Sequence, residues 1–133
     1  MRLSHIIFLL AILQFLYAGQ AFSQSDARIS TELTHALGTG NTDELARSFN
    51  DRVEITINNV RDVYSLAQAK FVMKKFFTDF PPTSFKDFQF GNTETTSYIL
   101  GEYKSAKGAF EVNMFLKRSG EVMKIDRIRF EGK

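Results

Sequence analysis

"EVMKIDRIRFEG", residues 121–132, decides the architecture. It opens as an alternating strand, with Met123 and Ile125 on one face and Val122, Lys124 and Asp126 on the other. The apolar residues then change sides. Ile128 and Phe130 fall on even positions, while Arg127 and Arg129 take the odd ones. Side chains alternate across a strand with period two, so a straight strand cannot keep both apolar pairs on one face. One extra residue near Asp126–Arg127, a β-bulge, restores the face and bends the strand. "FKDFQF" (85–90) shows the same slip between Phe85 and Phe88/Phe90, which predicts a second bulge near Lys86–Asp87. Two bulges in one sheet predict strong curvature.

Working outward, four strand runs are expected at 84–93, 96–105, 108–118 and 121–131. Turn signals "SAKGA" (105–109) and "RSGE" (118–121) separate the last three. Phe110, Val112, Met114 and Leu116 form the best-defined apolar row, with Glu111 out of phase. Upstream, "SLAQ" (65–68) is a capping box that opens a helix. Leu66, Ala69, Met73, Phe76, Phe77 and Phe80 make its apolar stripe, and Pro81-Pro82 ends it. "RVEITINNVRDVYS" (52–65) reads as a hairpin turning at Asn58-Asn59. "TDELARSF" (42–49) is a short helix capped by Thr42 or Asn41. "SDARISTELTHALG" (25–38) is a longer one, capped by Ser25 or Asp26 and closed by Gly38, with Ile29, Leu33, Ala36 and Leu37 in one stripe.

The chain has 133 residues, no cysteine and 14 phenylalanines. A disulfide framework and thiolate chemistry are therefore absent, and the fold must rest on an aromatic-rich core. Arg2, the apolar run "IIFLLAILQFLYA" (6–18) and the small residues of "AFS" (21–23) read as a secretory signal cut before Gln24. The domain is then 24–133, secreted or periplasmic. The apolar run is short for a membrane span, so membrane contact is expected only through this segment if it stays uncleaved. The remainder is nearly neutral, which gives no field for nucleic acid. No phosphate loop, metal spacing or nucleophile elbow is present, and no cofactor is implied.

The order helix, helix, hairpin, long helix, four-stranded meander resembles the nuclear-transport-factor-2-like (cystatin-like) superfamily. The stretches that carry the resemblance are "TDELARSFNDRVEITI" (42–57), "YSLAQAKFVMKKFFTDFPP" (64–82) and "MKIDRIRFEG" (123–132). Within it, the pattern is similar to a family of small secreted bacterial domains of unknown function. The resemblance implies an α+β fold in which three helices pack on a strongly curved antiparallel sheet, with a short hairpin before the third helix. It also implies a cone-shaped pocket between helices and sheet, in which the superfamily's enzymes place an Asp, His or Tyr. Many relatives pair sheet to sheet.

Such a catalytic constellation is not matched here. His35 lies off the apolar stripe of its helix, as a surface residue does. Glu54 alternates outward from Val53, Ile55 and Ile57. Asp126, at the expected bulge, is the one weak candidate for a base, and an exposed pair with Arg127 is the plainer reading. Lys70, Lys74 and Lys75 read as a solvated helix face. Tyr64, Tyr98 and Tyr103 are candidates for ligand contact, since tyrosine joins an apolar body to a polar tip. "TSYILGEY" (96–103) is apolar on both faces, with Tyr98 and Tyr103 opposed, so the outer face is expected to be covered, by a homodimer packed through the sheet. The leading expectation is a non-catalytic module that binds a small apolar ligand or a protein. The alternatives are an enzyme of the same fold (isomerase, cyclase or dehydratase type) and a structural dimerisation domain whose cavity is filled by phenylalanines.

Overall fold

The computed structural model describes residues 28–133. The expected signal segment, its cleavage site and the Ser25 or Asp26 cap lie outside the described residues. The chain divides into two compact units, Met1–Thr31 and Glu32–Lys133. Of the first, residues 28–31 are described, and they are helical.

Residues 28–39 form helix α1. It does not stop at Gly38. Gly40 takes the left-handed conformation (φ 66°), and the Asn41 amide reaches back to the Ala36 carbonyl at 3.0 Å. That bond is the six-to-one closure of a helix C-terminus. The next residue turns the chain at once, because the Asn41 side chain accepts the Glu44 amide and caps α2, Thr42–Arg47. Leu33, Ala36, Leu37, Leu45 and Ala46 are buried.

Strands β1 (Phe49–Ile57) and β2 (Val60–Ser65) form the expected hairpin. Its turn residues Asn58 and Asn59 both have positive φ, a conformation asparagine tolerates better than most. Asn58 also ties the hairpin to the end of the chain, accepting the Gly132 amide on its side chain at 2.8 Å. Ser65 and Gln68 make the reciprocal capping box of α3, Leu66–Asp79. Ala69, Met73, Phe76 and Phe77 are its buried face.

Four long strands follow: β3 (Pro82–Asn92), β4 (Thr96–Ser105), β5 (Gly108–Ser119) and β6 (Val122–Gly132). They join the hairpin in one six-stranded sheet of order β2-β1-β6-β5-β4-β3. The helices pack on this curved, unclosed sheet. It is not wholly antiparallel, as the resemblance implied, because β1 and β6 run parallel. The topology requires this. Helix α3 returns the chain to the starting end, so β2 and β3 point the same way. The hairpin reverses β1 against β2, and three turns reverse β6 against β3. β1 and β6 therefore share a direction.

The slip in β6 is a bulge. Leu116 pairs with Ile125 and Phe115 with Arg127, which leaves Asp126 as the extra residue. Met123, Ile125, Ile128 and Phe130 are all buried as a result. In β3 the extra residue is Phe88, between Asp87 and Gln89, one position beyond the expected bulge. The bulge returns Phe90 to the inward face, where it pairs with the buried Ile99 as Phe85 pairs with Tyr103. Phe85 is buried, but Phe90 stays partly exposed, since β3 is an edge strand and no helix among the described residues covers its far end, and Phe88, the bulged residue, is exposed.

Candidate functional site

The space between α3 and the sheet holds packed rings. Phe76 lies 4.4 Å from Phe130, 5.1 Å from Phe110 and 5.3 Å from Tyr103, centroid to centroid. Phe77 and Phe80 extend the cluster. Such contacts are the tilted and edge-on geometries that aromatic pairs favour. Tyr103 is wholly buried, and its hydroxyl donates to the Phe80 carbonyl oxygen. Burial pushes its phenol well above the usual value near 10. Tyr103 is therefore part of the core rather than of a pocket mouth.

The other candidates are scattered. Tyr64 is half-buried near the end of edge strand β2. Asp126 projects from its bulge towards Lys117, at 3.6 Å. Tyr98 is exposed on the sheet face opposite the helices. The three tyrosines do not form one site. His35 is on the surface, with Nδ1 2.9 Å from a Glu44 carboxylate oxygen. Among the described residues, no three His, Asp or Glu side chains group as a metal site.

What sequence reasoning missed lies on the outer face. Strand pairing sets two rows side by side there. One runs Tyr98, Phe115, Arg127, Glu54 across β4, β5, β6 and β1. The next runs Leu100, Asn113, Arg129, Thr56 and on to Arg61 of β2. Together they line an open groove of about 630 Å³. Tyr98, Leu100 and Phe115 give it an apolar side, and Arg61, Arg127 and Arg129 give it a basic one. The Arg127 guanidinium sits over the Phe115 ring, 4.6 Å from its centroid. Arg129 is paired with Glu131. Tyr98 lies over Gly91, where an added Cβ would come within 1.9 Å of the ring. Beyond the groove is a row of glutamates, Glu102, Glu111 and Glu131. The hydrogen bond and charge of Lys133 hold the Glu102 carboxyl below its ordinary range.

A second cleft, of about 650 Å³, lies between α2 and α3. Phe71 stands exposed beside it, and Lys70 there is paired with Asp43 at 3.2 Å.

This architecture is the nuclear-transport-factor-2-like α+β fold. An NTF2-like protein of unknown function from Silicibacter pomeroyi superposes with a TM-score of 0.65 at 9% identity, over 86% of this chain and 98% of that one. A de novo designed protein with a curved β-sheet superposes at 0.66 with 13% identity, over 80% and 99%. The family model described as "Domain of unknown function (DUF4783)" matches residues 30–131, and the chain belongs to that family. A member from Bacteroides uniformis is 25% identical, with a TM-score of 0.76 over 77% of this chain and 95% of that one. No curated protein matches the sequence.

Proposed function

We propose that the protein is a non-catalytic binding module that works through the sheet face turned away from its helices. One observation carries this reading. The helix-side interior is packed with aromatic rings, while the outer face offers an open groove with apolar and basic sides. Catalysis by general acid or base needs an acid or base in a cavity with substrate access. Asp126 instead faces Lys117 at a strand bulge. Binding needs only an apolar surface with a few polar anchors. Export, argued from segment 6–18, belongs to the same proposal.

The test is a native mass spectrum of the protein purified from its own host. A bound mass that leaves on denaturation, and is missing from Tyr98→Asp, is the expected result. A turnover abolished by Asp126→Asn without loss of fold would overturn the reading in favour of an enzyme.

The glutamate row beside the arginine rows favours one second reading. A two-fold homodimer could lay the basic rows of one copy on the acidic row of the other. A dimer broken by Tyr98→Asp, with no bound small molecule, would favour it over ligand binding.

A further inference from the structure

The outer-face groove carries more than its shape. We propose that it binds a small organic anion, a carboxylate with a flat apolar body. This rests on the binding-module reading above and names the ligand class. The first argument is unspent charge. Three arginines line the groove against one carboxylate, Glu54. Arg129 is engaged by Glu131. Among the described residues, Arg61 and Arg127 have no ion pair with a carboxylate, and both are exposed. These two like charges stand two strands apart, on β2 and β6, without partners, and an anion between them removes their repulsion.

The second argument is geometry. Arg127 rests over the Phe115 ring, which covers one face of the guanidinium and leaves its N–H donors at the edge. A guanidinium held this way is preorganised for two parallel hydrogen bonds to a carboxylate. Arg129 lies two residues along the same strand, about 7 Å away by strand rise. Arg61 lies two strands from Arg129, across Thr56, about 10 Å by strand spacing. Arginine side chains are long enough to converge on one anion across such gaps.

The third argument is size and surface. About 630 Å³ is the volume of a small-molecule site rather than of an interface for a folded partner. Tyr98 and Phe115 are direct neighbours across β4 and β5, so their rings flank one position where a flat apolar body can lie.

The experiment is an amide NMR titration of the protein with 3-phenylpropanoate and with its neutral isostere, 3-phenylpropanamide. The carboxylate should shift the resonances of Tyr98, Asn113, Phe115 and Arg127. It should bind about tenfold or more tightly than the amide, the difference expected of charge-assisted hydrogen bonds. Arg61→Met and Arg127→Met keep the apolar stems and should each shrink that preference, and the spectra themselves report that both variants stay folded. Equal binding of acid and amide at the groove would overturn the anion assignment while leaving the binding surface in place. No perturbation of groove resonances up to about 10 mM of either probe would overturn both.

Discussion

The Tyr103 hydroxyl donates a hydrogen bond to the carbonyl oxygen of Phe80. This single contact joins strand β4, next to the β3 edge, to the end of the long helix. Phe80 is the C-cap of α3, and Pro81 and Pro82 follow it. The last carbonyls of a helix have no partner within the helix. Tyr103 supplies one from 23 residues away. Tyr103→Phe keeps the ring packing and removes the donor. Its expected cost is about 1–2 kcal/mol in urea unfolding, the usual penalty for orphaning a partly buried carbonyl. A smaller loss would mean that water satisfies Phe80 equally well.

The same phenol sets an alkaline limit on stability. Burial raises its folded pKa above the value near 10 that it has when unfolded. The folded protein then holds the proton more tightly, so this contribution is complete below about pH 10 and is lost as pH rises towards the folded pKa. Unfolding free energy should therefore fall with pH above about 10. Tyr103→Phe should flatten that fall. Urea titrations of both proteins between neutral and strongly alkaline pH measure it directly.

Two phenylalanines on α3 separate core from surface. The Phe76 ring touches Phe110, Tyr103 and Phe130, while Phe71 on the same helix is 76% exposed. Phe76→Ala should cost about 3–5 kcal/mol, the range for deleting a buried aromatic side chain. Phe71→Ala should stay within about 0.5 kcal/mol. Chemical denaturation of the pair checks both. A Phe76→Ala loss below about 1 kcal/mol would mean that the cluster can collapse around the vacancy.

Local signals in the sequence carry most of the fold. Ser65 and Gln68 cap α3 as their spacing predicts, and Asn58-Asn59 make the hairpin turn. The alternation of Phe110, Val112, Met114 and Leu116 marks a buried row. Long-range pairing is not written this way. Nothing within β1 or β6 alone states that they lie side by side and parallel. The groove is harder still, because Arg61, Tyr98, Phe115, Arg127 and Arg129 come from four strands. They meet only once the register is fixed. One sign was present: Tyr98 and Phe115 both fall out of phase with the buried rows of their strands. In β3 the slip does mark a bulge, and Phe90 does face inward, but Phe88 is itself the bulged residue and Phe90 stays partly exposed, since an alternating apolar pattern does not say which strand will be the edge.

The packing of Tyr98 over Gly91 gives the groove a testable support. A Cβ at Gly91 would meet the Tyr98 ring at 1.9 Å, so the ring must move. Tyr98 is exposed and can swing outward, which keeps the stability cost of Gly91→Ala small, about 1 kcal/mol or less. Gly101→Ala is different. Its Cβ would meet both the buried Phe85 ring, at 2.3 Å, and the Lys86 backbone oxygen, at 2.8 Å. It should cost about 1–3 kcal/mol, as overpacking does. Gly91→Ala should instead weaken binding at the groove while leaving thermal unfolding nearly unchanged. Calorimetry of both variants tells the two effects apart.

The bulge at Asp126 gives the sharpest contrast, because its backbone and its side chain do separate work. The side chain is half-buried and faces Lys117 at 3.6 Å, an exposed ion pair of little energetic weight. Asp126→Ala should change stability by less than about 0.5 kcal/mol and leave groove binding intact. Deleting the residue is another matter. Without it, either Met123 and Ile125 or Ile128 and Phe130 must turn to the outer face, since a one-residue shift exchanges the two faces of a strand. All four are buried, and exposing two of them costs about 3–6 kcal/mol, comparable to the whole stability of a small domain. The deletion variant should lose cooperative unfolding, while Asp126→Ala and Asp126→Gly keep it. A folded deletion variant would mean that the sheet has a second register, and that the change of side within "EVMKIDRIRFEG" does not fix the fold.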